Sequence, residues 1–471
     1  MFRRRPQQSW RTAVLLLCAL VASSSAQSHS PLRSDLREEI DRIVTNSLKA
    51  TGVPSASLAV VNCSEIAYLH AYGNATLAPQ VPARPEMRYS IGSISKQFTA
   101  TAILMLAEEN KLSLNDPISR FLPTLTRADE VRVRDLLAHT SGYQDYWPQD
   151  YVPPFMRVEV SAQDILDRWA RKPLDFDPGT KWQYSNTNFV IAGLIVERAS
   201  GKPLMQFLHD RIFQRLEMSS VADIDRGVLK EPDATGYLRY GLGPYHVAPK
   251  EARGWLFAAG ELAMSAQDLA KWDLAMLRQS LLKPASYQEM QTETLLKNGL
   301  GTRYGLGIGI TSFLGHRTLQ HGGAVSGFTS ENMILPDDGI AVVVLTNDMP
   351  AEAASQIVHG VASLLLTDTQ EMRSQRDKAR TILVNLQSGV INRSLFTANA
   401  NDYFTEQAVR DFEAGLKPLG SPQQFVQTTK EERGGMIFYA YRAEFSSRTL
   451  DVWVRVMPDG KIEQYQITVE R

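Results

Sequence analysis

Ser93 is followed three residues later by Lys96 in the stretch YSIGSISKQFTATAIL, just before an apolar run. A serine hydroxyl is a poor nucleophile until a base removes its proton. On a helix, residues three apart share one face, so the lysine amine can reach the serine oxygen. Burial lowers a lysine pKa and so favours the neutral amine that such a base requires. The pair therefore predicts a nucleophilic serine, against the plainer interpretation of a helix cap beside a solvated lysine.

Two further stretches carry groups that suit the same reaction. In YSNTNF, Tyr184 offers a phenol for proton transfer, and Asn186, on the same side of an extended loop, offers an amide that can orient a lysine and a substrate carbonyl. In LQHGGAVSGF, His321 ends a predicted strand, and Gly322 and Gly323 leave an edge without side chains where an extended substrate can dock. Taken alone, each stretch is as well explained by a surface turn or a glycine-terminated strand.

The three motifs, in this order, resemble those of the serine penicillin-recognising hydrolases. That family includes penicillin-binding proteins, class C β-lactamases, D-alanyl-D-alanine carboxypeptidases, D-aminopeptidases and related esterases. The stretches LLAHTSG, FDPGTKWQYSN and DLAKW resemble the same family, so the similarity extends over about residues 36–366. The resemblance implies a β-lactamase-like fold and an exported serine hydrolase that works through an acyl-enzyme.

The resemblance also implies a role for each residue. Ser93 is the acylated nucleophile, Lys96 is its proton acceptor, and Tyr184 passes a proton to the leaving atom. Asn186 orients the lysine and the substrate amide. The oxyanion hole consists of the backbone N–H groups of Ser93 and Ala324, an arrangement that stabilises a transition state by a few kcal/mol.

The third motif differs from that of the β-lactamases, which carry Lys-Thr-Gly where this chain has His321, Gly322 and Gly323. The change removes a fixed cation and a hydroxyl that would bind a substrate carboxylate, although the histidine can still donate one hydrogen bond. The similarity therefore favours a D-alanyl-D-alanine carboxypeptidase-like enzyme or a D-amino-acid peptidase acting on small peptides. A carboxyl esterase, a weak class C-like β-lactamase and an inactive binding protein are the alternatives.

Strand patterns at both ends of residues 32–367, with helical patterns between them, predict one α+β domain. We expect an antiparallel sheet flanked by helices, together with a helical subdomain. Residues 368–471 show helical patterns followed by alternating strands and predict a small α+β roll. This accessory domain lacks a catalytic set of residues, and we interpret it as a candidate for homo-oligomer contacts or for control of substrate access.

The chain begins MFRRRPQQSWRTAVLLLCALVASSSAQ, a basic start, a short apolar run and then small residues. This pattern predicts a signal peptide over residues 1–26 and a secreted or periplasmic protein. Its removal takes four arginines and moves the formal net charge from −1 to −5, which leaves no basic surface for nucleic acid. No later stretch is apolar enough for stable membrane insertion.

Cleavage there would leave Cys63 as the only cysteine, so we expect no intramolecular disulfide. The 8 histidines and 2 cysteines form no metal-binding pattern, and we predict neither a metal nor a cofactor.

Several other polar and aromatic residues have simpler explanations. His139 in AHTSG is expected to end a helix and hold a turn. The aromatic residues Tyr143, Tyr146 and Trp147 can line a pocket but are more typical of packing. Glu261 is expected in a loop near the cleft.

Overall fold

An antiparallel sheet of seven strands organises the first part of this computed structural model. The structure describes residues 32–62, 65–149, 151–366 and 370–469, so the predicted signal peptide and Cys63 lie outside the described residues. The seven strands are β1 Ser55–Asn62, β2 Glu65–Leu77, β3 Gln80–Pro82, β9 Gly309–Phe313, β10 His316–Val325, β11 Phe328–Leu335 and β12 Ile340–Thr346. Across the sheet they lie in the order β3-β2-β1-β12-β11-β10-β9. Sequence-distant strands pair at its centre, where Ala56 in β1 lies opposite Thr346 in β12.

Helices cover both faces of this sheet, which explains why every residue of the run IAVVVLT in β12 is buried. On one face lie α1 Ser34–Thr51 and α9 Ala353–Leu365, and on the other lies α7 Ala266–Arg278. The antiparallel sheet flanked by helices that the sequence predicts is confirmed.

Between β2 and β9 the chain forms a mainly helical region with three short strands in one small sheet and two in another. Its helices are α2 Ser95–Glu108, α3 Val133–Leu137, α4 Ala162–Ile165, α5 Asn186–Ser200, α6 Leu204–Leu208 and α8 Pro284–Met290. The short strands are β4 Tyr89–Ser90, β5 Ala222–Asp223, β6 Tyr237–Arg239, β7 Tyr245–Val247 and β8 Leu262–Met264.

The sequence predicts that Gly142 and Gly201 follow helices and that Ser265 precedes one, and two of these three helix ends are found. Gly201 ends α5 in the left-handed conformation with φ 71°, and the Ser265 side chain caps α7 by accepting from the Asp268 N–H. Gly142 does not end a helix, because α3 stops at Leu137 and irregular chain follows.

The C-terminal part contains helices followed by a four-stranded antiparallel meander. Its elements are α10 Gln370–Gln387, α11 Ala398–Tyr403, α12 Glu406–Leu416, β13 Gln424–Arg433, β14 Met436–Glu444, β15 Thr449–Val456 and β16 Ile462–Val469. The four strands lie in the order β13-β14-β15-β16. One sheet face packs on the helices around a separate apolar core that includes Leu383, Phe404 and Val452. The boundary between residues 367 and 368 stays a prediction.

Among the described residues, we find no helix with the length and apolar character needed to cross a membrane.

A buried polar network fixes α2 against the large sheet. The Asn332 amide in β11 accepts from Gln97 Nε2 of α2 at 3.0 Å and donates to Asp273 Oδ1 of α7 at 2.9 Å. Gln97 Oε1 in turn accepts from Trp272 Nε1 at 2.8 Å. Burial raises the pKa of the Asp273 carboxyl well above its usual range. Because each amide is matched to a buried partner, the network sets the position of the helix that begins beside Ser93.

We predict that Asn332→Ala lowers the free energy of unfolding by about 2 to 4 kcal/mol, because it leaves Gln97 and Asp273 buried without their partner. Urea denaturation followed by circular dichroism measures this change. The control is Ser312→Ala, which removes an exposed hydroxyl from β9 of the same sheet. Equal stabilities of the two variants would show that the network does not hold α2 in place.

Candidate active site

Ser93 lies on a tight turn that leads directly into a buried helix. The turn is a short 3₁₀ segment, Gly92–Ile94, and α2 begins at Ser95. The sequence prediction placed the serine and lysine on one regular helix, whereas only Lys96 is in the helix proper. All residues from Ser95 to Leu106 are buried, so the lysine has no route to solvent along the helix surface.

The Lys96 amine lies 2.8 Å from Ser93 Oγ, 2.9 Å from Asn186 Oδ1 and 2.8 Å from the Ala259 carbonyl oxygen. The last two atoms can only accept hydrogen bonds. A neutral amine satisfies both with its two N–H groups and turns its lone pair toward the serine hydroxyl. Burial lowers the pKa of Lys96 to about 7, against an opposing effect of Asp145. The site therefore provides a base directed at the proton of Ser93.

Asn186 is held in one orientation by a carboxylate that sequence reasoning missed. It is the first residue of α5, rather than part of an extended loop as expected. Its backbone N–H and its Nδ2 both donate to Asp145 Oδ1, at 3.0 and 3.2 Å. With Nδ2 fixed there, Oδ1 must face Lys96. The signal for Asp145 was a lone acidic residue in the aromatic loop GYQDYWP.

Tyr184 completes the group around the nucleophile. Its phenol is hydrogen-bonded to Ser93, and its ring centroid lies 4.9 Å from Lys96 Nζ. Burial raises the pKa of this phenol above its ordinary value, so it keeps its proton at neutral pH. The tyrosine is therefore a proton donor in the resting site.

The ring of His139 packs against Tyr184, with ring centroids 4.3 Å apart. His139 follows α3 by two residues and is fully buried, where the sequence predicted only a helix end and a turn. Its Nδ1 accepts from the Ser185 N–H at 3.2 Å, and burial lowers the pKa of the ring well below its usual value. The neutral ring thus supports the Tyr184 side chain from behind.

An open strand edge faces the nucleophile. Strand β9 pairs with β10 only from His316 to Gln320, so the edge from His321 to Val325 has no paired strand on that side among the described residues. The glycines allow close contact, because a Cβ on Gly323 would lie 2.0 Å from the Ile91 carbonyl oxygen.

The same close approach brings the backbone of Ala324 near the turn that carries the nucleophile. A Cβ on Gly92 would lie 2.8 Å from the Ala324 backbone nitrogen, so this amide lies beside the turn that carries Ser93. The Ala324 amide is therefore close to Ser93, and the oxyanion hole formed by the two backbone N–H groups stays a prediction.

Both ring nitrogens of His321 are already engaged. Its Nδ1 lies 2.6 Å from the Gly322 carbonyl oxygen, which can only accept, so Nδ1 carries the proton. Its Nε2, 2.8 Å from the hydroxyl of Tyr304, then accepts from that hydroxyl. Burial, reinforced by the nearby Lys96, lowers the pKa of His321 to about 4. The residue is a neutral, internally bonded group at neutral pH and does not replace the cation of a Lys-Thr-Gly motif.

These groups border a cleft of about 860 Å³. Every predicted site residue except Lys96, which lies beneath Ser93, lines it: Ser93, Tyr184, Asn186, His321, Gly322, Gly323 and Ala324. Tyr146 and Trp147 also line the cleft, whereas Tyr143 and Glu261 do not. Within the part of the chain that the structure describes, the lining includes two carboxyl groups, those of Asp145 and Glu331, and no lysine or arginine.

The sequence profile of the family described as Beta-lactamase matches residues 40–363, and the chain belongs to this family of serine hydrolases. The match includes every residue of the candidate site.

Similar proteins are peptidases, amidases and penicillin-binding-protein homologues. The D-aminopeptidase of Brucella anthropi is 28% identical over 298 residues, which are 62% of this chain and 56% of the relative. This chain thus spans less than two thirds of the length of the curated relatives that it matches. The D-amino acid amidase of Ochrobactrum anthropi SV3 has a TM-score of 0.61 at 25% identity and covers 70% of this chain and 99% of its own.

The octameric penicillin-binding protein homologue of Pyrococcus abyssi has a similar fold over nearly the whole molecule. Its TM-score is 0.63 at 21% identity, with 92% of this chain and 98% of that chain covered. At this identity the similarity concerns the fold alone.

We predict that labelling of Ser93 by a fluorophosphonate speeds up as the pH rises through about 7, because the neutral amine of Lys96 is the form that accepts the serine proton. In Asp145→Asn the midpoint moves to lower pH by about one unit, since the carboxylate that stabilises protonated Lys96 is lost. Intact-mass spectrometry at a series of pH values measures the rate.

The control for this experiment is Asp129→Asn, which removes an exposed carboxylate outside the cleft. Its midpoint should match that of the unchanged protein. An upward shift, or none, in Asp145→Asn would contradict the assigned coupling between Asp145 and Lys96.

Proposed function

We propose that the protein is an exported serine hydrolase that forms an acyl-enzyme on Ser93 and acts on small peptides or amides containing a D-residue. One observation carries the proposal. The Lys96 amine lies 2.8 Å from Ser93 Oγ, and its other two hydrogen bonds go to oxygen atoms that can only accept. This arrangement activates a hydroxyl without a histidine or a metal ion. The first reaction is therefore attack of Ser93 on a carbonyl carbon.

Acylation follows from the positions of the groups. Ser93 Oγ bonds to the substrate carbonyl carbon as its proton passes to Lys96. The carbonyl oxygen becomes an oxyanion and accepts from the backbone N–H groups of Ser93 and Ala324. The bond to the leaving nitrogen breaks as that nitrogen receives a proton through Tyr184. Because the pKa of the phenol is high, Tyr184 gives up this proton only as it receives another from protonated Lys96.

Deacylation uses the same groups in the reverse sense. A water molecule attacks the ester carbonyl carbon while its proton passes to Lys96, and Ser93 Oγ leaves and is reprotonated. Atoms balance, since one water is consumed and an acid and an amine are released. Esters suit the same site because their leaving oxygen needs less assistance from a proton donor.

The charges of the cleft favour substrates without a free carboxylate near the scissile bond. A carboxypeptidase must bind such a group, yet the described lining has no lysine or arginine and His321 is neutral. An uncompensated anion here would lie near two carboxyl groups. The similarity to D-aminopeptidase supports the peptidase and amidase branch, and we propose it over the carboxypeptidase branch that the sequence left open.

We predict that the purified protein hydrolyses D-alanine amide or a D-alanyl anilide at least about tenfold faster, in kcat/KM, than a D-alanyl-D-alanine peptide with a free carboxylate. Chromatographic measurement of released D-alanine tests this. The variant Ser93→Ala should lose turnover entirely while keeping its circular dichroism spectrum. Turnover confined to short acyl esters would replace the peptidase proposal with the esterase alternative, and activity in Ser93→Ala would overturn both.

Export and assembly are further parts of the proposal. The signal pattern over residues 1–26 supports a secreted or periplasmic protein.

In the C-terminal sheet, the face away from its helices carries the partly exposed apolar residues Val426 and Trp453. A second copy of the chain is the partner that we propose for this face.

We predict that the mature chain has the mass of an oligomer in size-exclusion chromatography with light scattering. Trp453→Glu should reduce it to the mass of one chain, because it places a charge in the apolar contact. Trp182→Glu, at an equally exposed tryptophan of the other region, is the control. A monomeric unchanged chain would refute oligomerisation through this face.

A further inference from the structure

Glu331 is the one carboxyl group of the described cleft lining that the proposed chemistry does not use. It lies in β11, directly opposite Gly322 in β10. Side chains alternate along a strand, so Glu331 is on the opposite sheet face from Ser330, which donates to the Ile91 carbonyl oxygen, and from Asn332, which contacts α2. It nevertheless lines the same cleft as Ser93.

Gly322 is the reason that this carboxylate is accessible from the cleft. A Cβ at position 322 would lie 3.1 Å from Glu331 Oε2, so the carboxylate occupies the place next to the missing side chain. Any larger residue there would press on the carboxylate and separate it from the open strand edge. Gly322 thus keeps the Glu331 carboxylate accessible to a substrate, in addition to leaving the strand edge free of a side chain.

The carboxylate has no partner within the described part of the chain. None of the hydrogen bonds or ion pairs of the described residues involves it, and burial alone raises its pKa to about 7. The side chain is half-buried, so the carboxylate can reach the cleft while much of its hydration is lost. Asp145 differs from it in this respect, because two N–H groups of Asn186 donate to Asp145.

We propose that Glu331 binds a primary ammonium group of the substrate through the gap at Gly322. The inference rests on the proposed function and refines it by naming a substrate class. An ammonium offers three N–H donors and a full positive charge, which match a half-buried carboxylate that has no donor from the described residues. A substrate carboxylate would be repelled at the same place.

The position along β10 specifies where the cation must lie in the substrate. Gly322 precedes Ala324 by two residues, or about 7 Å at the usual rise of a strand. The α-ammonium of an aminoacyl group lies only about 2.5 Å from its carbonyl carbon. The matching cation therefore belongs to a side chain or to a neighbouring residue, as in a lysine or ornithine side chain.

The first test compares two esters that differ only in charge, p-nitrophenyl 6-aminohexanoate and p-nitrophenyl heptanoate. The unchanged enzyme should favour the amine in kcat/KM by about tenfold to a hundredfold, and Glu331→Gln should bring that ratio to about one. Gly322→Ala should also reduce the ratio, because its methyl group covers the carboxylate. Glu352→Gln, which removes an exposed charge outside the cleft, should keep the ratio of the unchanged enzyme.

A second pair identifies the side of the scissile bond on which the cation lies. D-alanyl-lysine amide and D-alanyl-norleucine amide differ by an ammonium in the leaving group, whereas the two esters differ by one in the acyl group. A preference for the amine in either pair that disappears in Glu331→Gln supports the inference and assigns the side.

Other outcomes separate failure of the inference from failure of the proposed function. Turnover of the neutral substrates with no preference for the amine in either pair would overturn the ammonium subsite alone. An equal loss for amine and neutral substrates in Glu331→Gln would also overturn it, because that pattern indicates a proton-transfer or structural role. If no substrate is hydrolysed and fluorophosphonate does not label Ser93, the proposed function itself fails.

Discussion

The site depends on one constraint, the burial of the Lys96 amine among three oxygen atoms. A lysine in water keeps its proton and cannot activate a hydroxyl at neutral pH. Here α2 is buried along its first three turns, so the amine loses solvent and its pKa falls to about 7. The Asn186 and Ala259 oxygens occupy the N–H groups of the neutral amine, which leaves Ser93 for the lone pair. Enclosure by the fold is therefore the source of basicity.

The surroundings of Lys96 maintain this state from two directions. Asp145 fixes the Asn186 amide and supplies a negative charge that limits the fall of the lysine pKa. On the sheet side, Asn332 joins α2 to β11, the strand that pairs with β10, so the helix behind the nucleophile is tied to the sheet that carries the open edge. Catalytic geometry and fold stability thus share the same buried polar groups.

Much of this arrangement was predictable because its signals are local or periodic. Alternating and continuous apolar runs indicated the strands, and Ser265 and Gly201 marked helix ends correctly. What could not be predicted depends on tertiary contacts. The ring of His139 meets Tyr184 only because irregular chain follows α3, and Asp145 meets Asn186 across a distance of 41 residues in sequence. Strand β13 and helix α11 carry weaker patterns and were also missed.

The third motif illustrates how one substitution can alter the electrostatics of a whole cleft. A lysine at position 321 would offer a carboxylate-binding cation, but it would also place a second positive charge near Lys96, and like charges disfavour each other's protonated form. The neutral His321 removes this competition, since its Nδ1 donates to Gly322 and its Nε2 accepts from Tyr304. With Asp145 already committed to Asn186, Glu331 is left as the unmatched charge in the described lining. The neutral His321 therefore leaves the described cleft lining without a cation that could bind a substrate carboxylate, and this absence is the basis of the selectivity that we propose.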